Sequence, residues 1–304
     1  MKHFIKNALN KLAKLITDPI CEEIRRGNQL QAEQTQRLEK LHAIHAHAFE
    51  LQVLNQDRYK DPKRLARYEL SAFSQAGEDG IINEIFRRIG TADRTFLEIA
   101  AGYGDENCTR FLLTKGWRGV WVEGSEKRLA VLRANFKPFI DASALRVVSE
   151  FITESNVVER VSQQLFAEEL DLLSLDIDRN TYHILKPLLA LKPRAIVVEY
   201  NAVFPPEIDW KVQAGPDKMW DGSTLFGASL KAFETLASDA DYNLVGCDLT
   251  GVNVYFVRKD LCGDHFVSPY TAEEHFEPPR FFLIPKRGTH HSRDTREDCP
   301  DCPQ

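Results

Sequence analysis

Cysteine is scarce and scattered: six of 304 residues, at positions 21, 108, 247, 262, 299 and 302. That is no disulfide framework, and it suits a reducing compartment. No run of 18 apolar residues occurs, so no transmembrane helix is readable. Met1 to Ile16 lacks the unbroken apolar stretch and small-residue cleavage site of a secretory signal, which makes a cytoplasmic location the expectation. A basic excess is missing too. Thirty-nine Lys and Arg stand against 45 Asp and Glu, for a net charge of −6, so nucleic acid is not an expected partner.

What remains divides into three segments. Residues 1–60 read as a helical extension. Ile5, Leu9, Leu12 and Ile16 recur at helical spacing while Lys2, Lys6, Lys11 and Lys14 fall largely elsewhere. Such an amphipathic cationic helix suits packing against protein or peripheral contact of residues 1–16 with the inner face of a membrane. Pro19 is expected to punctuate it. Within 21–55, Leu38, Leu41, Ile44, Ala48 and Leu51 step by three or four, the pattern of a short coiled coil and hence of a homodimer. Asp61-Pro62 opens the main domain, 61–261. Residues 262–304 form a C-terminal extension whose tail, from about 285, has the composition of a disordered segment. Cys299-Pro-Asp-Cys302, with His290 and His291 upstream, lacks zinc-finger spacing and is assigned to that tail.

The main domain alternates β-branched apolar runs with helical stretches. The runs are 95–100, 119–123, 145–149, 170–176 and 194–199; the helices lie near 106–116, 126–136, 156–168 and 181–191. Strands apolar throughout mean a parallel sheet covered on both faces, and right-handed crossovers then make it doubly wound. A last helix near 224–239 precedes 243–247 and 252–257, joined so closely that they form an antiparallel hairpin. The expectation is a mostly parallel, seven-stranded Rossmann-like sheet ending in a hairpin, with a helical extension in front, which by analogy resembles the class I methyltransferase fold.

The first strand carries Glu98 and runs into Gly102-Tyr-Gly104, a turn whose glycines let backbone approach a ligand. Free N–H groups at the start of the next helix are expected to face that ligand. A dinucleotide fingerprint wants glycine or alanine where Asn107 stands, which counts against NAD. Glu123 ends the second strand about twenty residues later, placed to accept both hydroxyls of an adenosine ribose. Glu150, after the third strand, is a candidate adenine-edge contact.

On the acceptor side the fourth strand ends in Asp176-Ile-Asp178 and the fifth in Glu199-Tyr-Asn201. Asp176 or Asp178 is the candidate base for an acceptor hydroxyl, with His183 an alternative. Asp178, Glu199 and Asn201 are the candidate ligands of a divalent metal such as Mg, which lowers a hydroxyl pKa. Ser74-Gln75-Ala-Gly77-Glu78-Asp79-Gly80 reads equally as a helix cap or as a lid. Loop 202–223, with Trp210 and Trp220, is the candidate acceptor cover.

Ser74-Gln75-Ala-Gly77-Glu78-Asp79-Gly80, Phe96-Leu-Glu98-Ile with Gly102, Gly116-Trp117-Arg-Gly119-Val-Trp-Val-Glu123-Gly124, Leu172-Leu-Ser174-Leu-Asp176-Ile-Asp178, Val198-Glu199-Tyr200-Asn201 and Gly251-Val-Asn253-Val-Tyr-Phe-Val257 together resemble FkbM-type methyltransferases. The resemblance covers about 70–260. It implies S-adenosyl-L-methionine as methyl donor and O-methylation of a sugar, glycan or secondary metabolite. Relatives read Asp-Ile-Asp-Gly-Asn-Asp-Tyr where this chain has Arg179 and Thr181, and Glu-Ile-Gly where it has Glu98-Ile-Ala100. Two alternatives are an NAD(P)-linked oxidoreductase and an inactive nucleoside-binding scaffold.

Overall fold

The computed structural model describes residues 2–215, 218 and 220–284, with backbone alone for 2–16 and 20. The tail from 285, its CxxC, His290 and His291, and the two faces expected of helix 1–16 lie outside the described residues. The chain divides into two compact units, one ending at Phe49 in its helical part and the other spanning Glu50–Ile284. The first helix, α1, runs Lys2–Leu54 straight through Pro19. Pro19 therefore does not end it, although an internal proline removes one backbone hydrogen bond and crowds the carbonyl four residues back. Ile24, Leu30, Leu38, Leu41 and Ile44 are all exposed on α1.

The larger unit is built on seven strands: β1 Thr95–Ile99, β2 Arg118–Glu123, β3 Leu145–Ser149, β4 Leu172–Leu175, β5 Ala195–Glu199, β6 Tyr242–Cys247 and β7 Asn253–Arg258. Their order is β3-β2-β1-β4-β5-β7-β6. Only β7 runs against the rest, pairing antiparallel with β5 and β6. This is the Rossmann-like, class I methyltransferase sheet, and the hairpin reading of its last two strands holds. The order reverses between β1 and β4, so their carboxyl ends diverge into the crevice where such sheets bind ligands.

Alternate residues of each strand supply two cores. Leu97, Val120, Val122, Leu173 and Val198 pack under α6 (Val157–Ser162), α7 (Thr181–Leu188) and α8 (Leu230–Asp239). Phe96, Trp121, Leu172, Val197 and Tyr255 meet Ile81, Ile82, Ile85 and Phe86 of α2 (Glu78–Ile89) on the other face. The unit reaches back to residue 50 through buried Val53 and Tyr59, and forward through Glu277, which accepts from Tyr59 Oη at 2.7 Å.

Three helices are shorter than their apolar periodicity predicts. The segment expected from 106 is helical only over α3, Arg110–Thr114, because the residues before it are tied down by the sheet. The one expected from 224 starts at Leu230, where Ser229 Oγ accepts from Ala232 N. The one expected over 156–168 stops at Ser162.

Candidate functional site

β1 leaves the sheet through Ala100 and Gly102, both at positive φ (+64° and +60°). That conformation aims Gly102 N–H at Glu123 Oε2, 2.8 Å away. Ser125 N–H, in the turn before α4 (Glu126–Asn135), donates to Glu123 Oε1 at 2.8 Å. Glu123 is only 5 % exposed. A carboxylate has about four lone-pair sites, so two backbone donors fix its orientation and leave the others for hydroxyl groups. Arg128, from α4, brings its guanidinium to 3.9 Å from the same carboxylate.

Glu98 has another role from the one expected. Its carboxylate lies behind the turn, accepting Cys108 N–H at 3.0 Å, the Thr109 hydroxyl, and Ser174 Oγ–H at 3.3 Å. Trp121 Nε1 in turn donates to Thr109 Oγ1 at 2.8 Å. The N–H groups expected to face a ligand are thus engaged by an internal anion, and Glu98 is absent from the cleft lining. Gly104 serves packing: a Cβ there would sit 2.3 Å from Phe136 Cε2.

Glu123, Glu150, Asp176 and Asp178 are brought together on one cleft of about 810 Å³, with Ala100, Arg128, Phe151, His183, Lys218 and Trp220 among its other lining residues. Glu150 is 3.6 Å from Arg160. Carboxylates dominate the lining, Glu123, Glu150, Glu154, Asp176 and Asp178 against the cations Arg128 and Lys218. Asp176 and Asp178, both exposed, and half-buried Glu199 bring one carboxylate oxygen each within 4.8 Å of one another. Asp178, at φ +51°, directs its N–H to Asp176 Oδ1 at 3.3 Å. Desolvation of its carboxyl, then the charge of Asp178, raises Asp176. Burial, then the charges of Asp176 and Asp178, pushes Glu199 well above the usual range. Partial desolvation also raises Asp178, opposed by Arg128.

Asn201 does not join this group. Its Nδ2 donates to the carbonyls of Thr224 (2.8 Å) and Phe226 (3.0 Å), and its Oδ1 accepts Val203 N–H at 3.2 Å. It is fully buried as the anchor of the cover loop, and among the carboxylates Asp176 joins Asp178 and Glu199 in the cluster. His183 spends Nε2 on the Val212 carbonyl at 2.8 Å. Trp210 stacks on Phe204 with centroids 4.3 Å apart, which leaves Trp220 and Phe151 as the aromatic walls. Arg128 escaped the sequence reading. Its only signal was a cation in the first turn of the helix that follows a strand-end acid.

No protein-family model matches the chain, and no curated protein matches it. Among solved structures, similarity is found to the METTL16 methyltransferase domain, at 13 % identity and a TM-score of 0.31. That match spans 40 % of this chain and 51 %, about half, of the other. Magnesium protoporphyrin IX methyltransferase from Synechocystis, solved with bound SAM, is 9 % identical over 60 % of this chain and 77 % of its own, with a TM-score of 0.38. An S-adenosylmethionine-dependent methyltransferase from Clostridium acetobutylicum is 14 % identical over 58 % and 89 %, with a TM-score of 0.37. The fold of this chain is defined by its own strand order and direction, and likenesses at these scores add nothing to the reading of its site.

Proposed function

We propose that the chain is an S-adenosylmethionine-dependent methyltransferase acting on a hydroxyl of a small or sugar-like acceptor. The observation that carries the reading is Glu123, oriented by Gly102 and Ser125 N–H groups at the edge of a carboxylate-lined cleft. Glu123 is suited to accept both ribose hydroxyls of an adenosine, each a charge-assisted hydrogen bond. A pyrophosphate-bearing nicotinamide cofactor meets the wrong chemistry here. It needs unengaged N–H donors and cations, whereas Cys108 N–H and Thr109 Oγ–H are engaged by Glu98. A cationic ligand is favoured by the same acidic lining. When bound, the cofactor supplies a methyl group on a positively charged sulfur.

The remaining work falls to the chain itself. Asp176 is placed to hold the proton of the acceptor hydroxyl, and its raised proton affinity brings it nearer the range a base needs at neutral pH. Asp178 orients it through the N–H bond. Trp220 and Phe151 offer apolar faces to a sugar-like ring. By donor type, the oxygens of Asp176, Asp178 and Glu199 suit a hard divalent cation, which would lower the acceptor hydroxyl pKa there.

Calorimetric titration of the full chain with S-adenosylmethionine, S-adenosylhomocysteine and NAD tests the cofactor. The two sulfur compounds should bind and NAD should not. Replacing Glu123→Ala should weaken binding by about 1.5–3 kcal/mol, roughly 10- to 150-fold. Unchanged affinity in that variant, or binding of NAD in preference, sinks the reading.

A further inference from the structure

The cover loop and the turn that carries Asp178 hold each other. Lys211 bridges Ala228, and Val212 N–H donates to the Gly227 carbonyl at 3.0 Å, which closes the stretch between them at its base. Val212 is buried, whereas Gln213 and Ala214 are exposed, so apolar packing fixes little of the chain beyond that base. Side chains take its carbonyls instead. His183 Nε2 donates to the Val212 carbonyl at 2.8 Å, Asn180 Nδ2 to that of Gly215 at 3.1 Å, and Arg179 Nη2 to that of Gln213 at 3.4 Å. The Arg179 carbonyl accepts Gly227 N–H at 3.3 Å in the opposite direction. The turn itself is braced, since Thr181 Oγ1 accepts Ile177 N–H at 3.1 Å and donates to the Asp178 carbonyl at 3.3 Å. Asn180, His183, Ala214 and Gly215 all line the cleft beside Asp176 and Asp178.

We propose that His183 and Asn180 are positioning residues, whose N–H groups dock the stretch 212–215 as one wall of the cleft and tie it to the acid-bearing turn. Calling that wall the acceptor's rests on the function proposed above; the dock itself does not. A backbone carbonyl only accepts, so Nε2 of His183 carries the hydrogen and the neutral ring keeps its lone pair on Nδ1. The bond persists when the ring is protonated, because both nitrogens then donate. His183 is thus a loop anchor and leaves the base's role to Asp176. Asp176, Asp178, Asn180 and His183 belong to one continuous segment, 176–183. A wall docked on the last two therefore keeps a fixed spacing from the two carboxylates, where a loop held only at its base would leave that spacing to thermal motion. Glu123 takes its N–H bonds from Gly102 and Ser125 and shares none of these contacts, so the donor's site should be indifferent to the dock.

Hydrogen exchange of the full chain reads the dock at two amides, Val212 N–H at the base and Gly227 N–H, which crosses to the turn. His183→Ala and Asn180→Ala should each speed exchange there by roughly 2- to 13-fold, the loss of one neutral hydrogen bond, and the double variant by more than either. His183→Gln, whose amide can donate to the same carbonyl, should stay within about twofold of the parent. Amides of β4 and β5 should be unchanged throughout, which separates release of the wall from unfolding. Imidazole nitrogen spectra of the parent should show neutral His183 protonated at Nε2. Unchanged exchange in the double variant, equal loss in His183→Gln, or a neutral ring protonated at Nδ1 overturns the dock. Should the double variant fail to fold, the single variants decide on the same terms. S-adenosylmethionine, titrated into the same samples, should bind parent and variants within about twofold of one another. Donor affinity that falls together with protection overturns the placing of this wall on the acceptor's side. Absence of donor binding in the parent removes the methyltransferase reading and leaves the dock to be judged on exchange and tautomer alone.

Discussion

Ala100, just past β1, stands at φ +64°, a conformation that costs an L-residue with a Cβ roughly 1–2 kcal/mol. It lines the cleft, and its backbone sets the direction from which Gly102 N–H reaches Glu123. Glycine adopts that φ without a Cβ penalty, so this chain holds a strained residue where glycine would rest. Ala100→Gly should therefore stabilise the fold by about 0.5–1 kcal/mol, the relieved strain less the extra freedom glycine has when unfolded. Urea unfolding measures this, and a destabilised variant would show that the turn is not strained. Nothing in residue type discloses a positive φ at an alanine. Glu123, by contrast, was legible from its place at a strand end about twenty residues past a glycine turn, because a parallel strand delivers its last side chain to the crevice.

At the scale of elements, the strands were legible because burial on both faces makes them continuously apolar. Helix starts were not. The residues before α3 alternate no differently from a helix, yet Glu98 takes Cys108 N–H and the Thr109 hydroxyl from inside the sheet and delays the first turn. Asn201 carries the same lesson: one residue past Tyr200, its side-chain amide serves the cover loop. Asn201→Ala should lower stability by about 1–3 kcal/mol by leaving buried carbonyls unpaired, while Mg binding, read by calorimetry, should be unchanged. Asp178→Asn should weaken that binding. Loss of Mg binding in Asn201→Ala alone would return Asn201 to the ligand set.

At the scale of the molecule, α1 shows Ile24, Leu30, Leu38, Leu41 and Ile44 to solvent. Helices that expose such a series gain most by burying it, roughly 25 cal/mol per Å² of apolar surface, and a second copy offers a matching face. Sedimentation of the full chain should show a concentration-dependent dimer, and a chain beginning at Glu50 should remain monomeric. A full-length monomer at high concentration would end this expectation. Among the described residues no helix is long and apolar enough to cross a membrane.

Hydrophobic periodicity alone determined the doubly wound sheet, the closing hairpin and the strand-end acids, because these follow from which faces must be buried. Tertiary structure alone decided how the polar groups are used. Glu98 turned inward, Asn201 joined a loop, and Asp176 clustered with Asp178 and Glu199. The reason is physical: burial is a property each residue carries with it, whereas a hydrogen bond requires a partner that the fold brings from far along the chain.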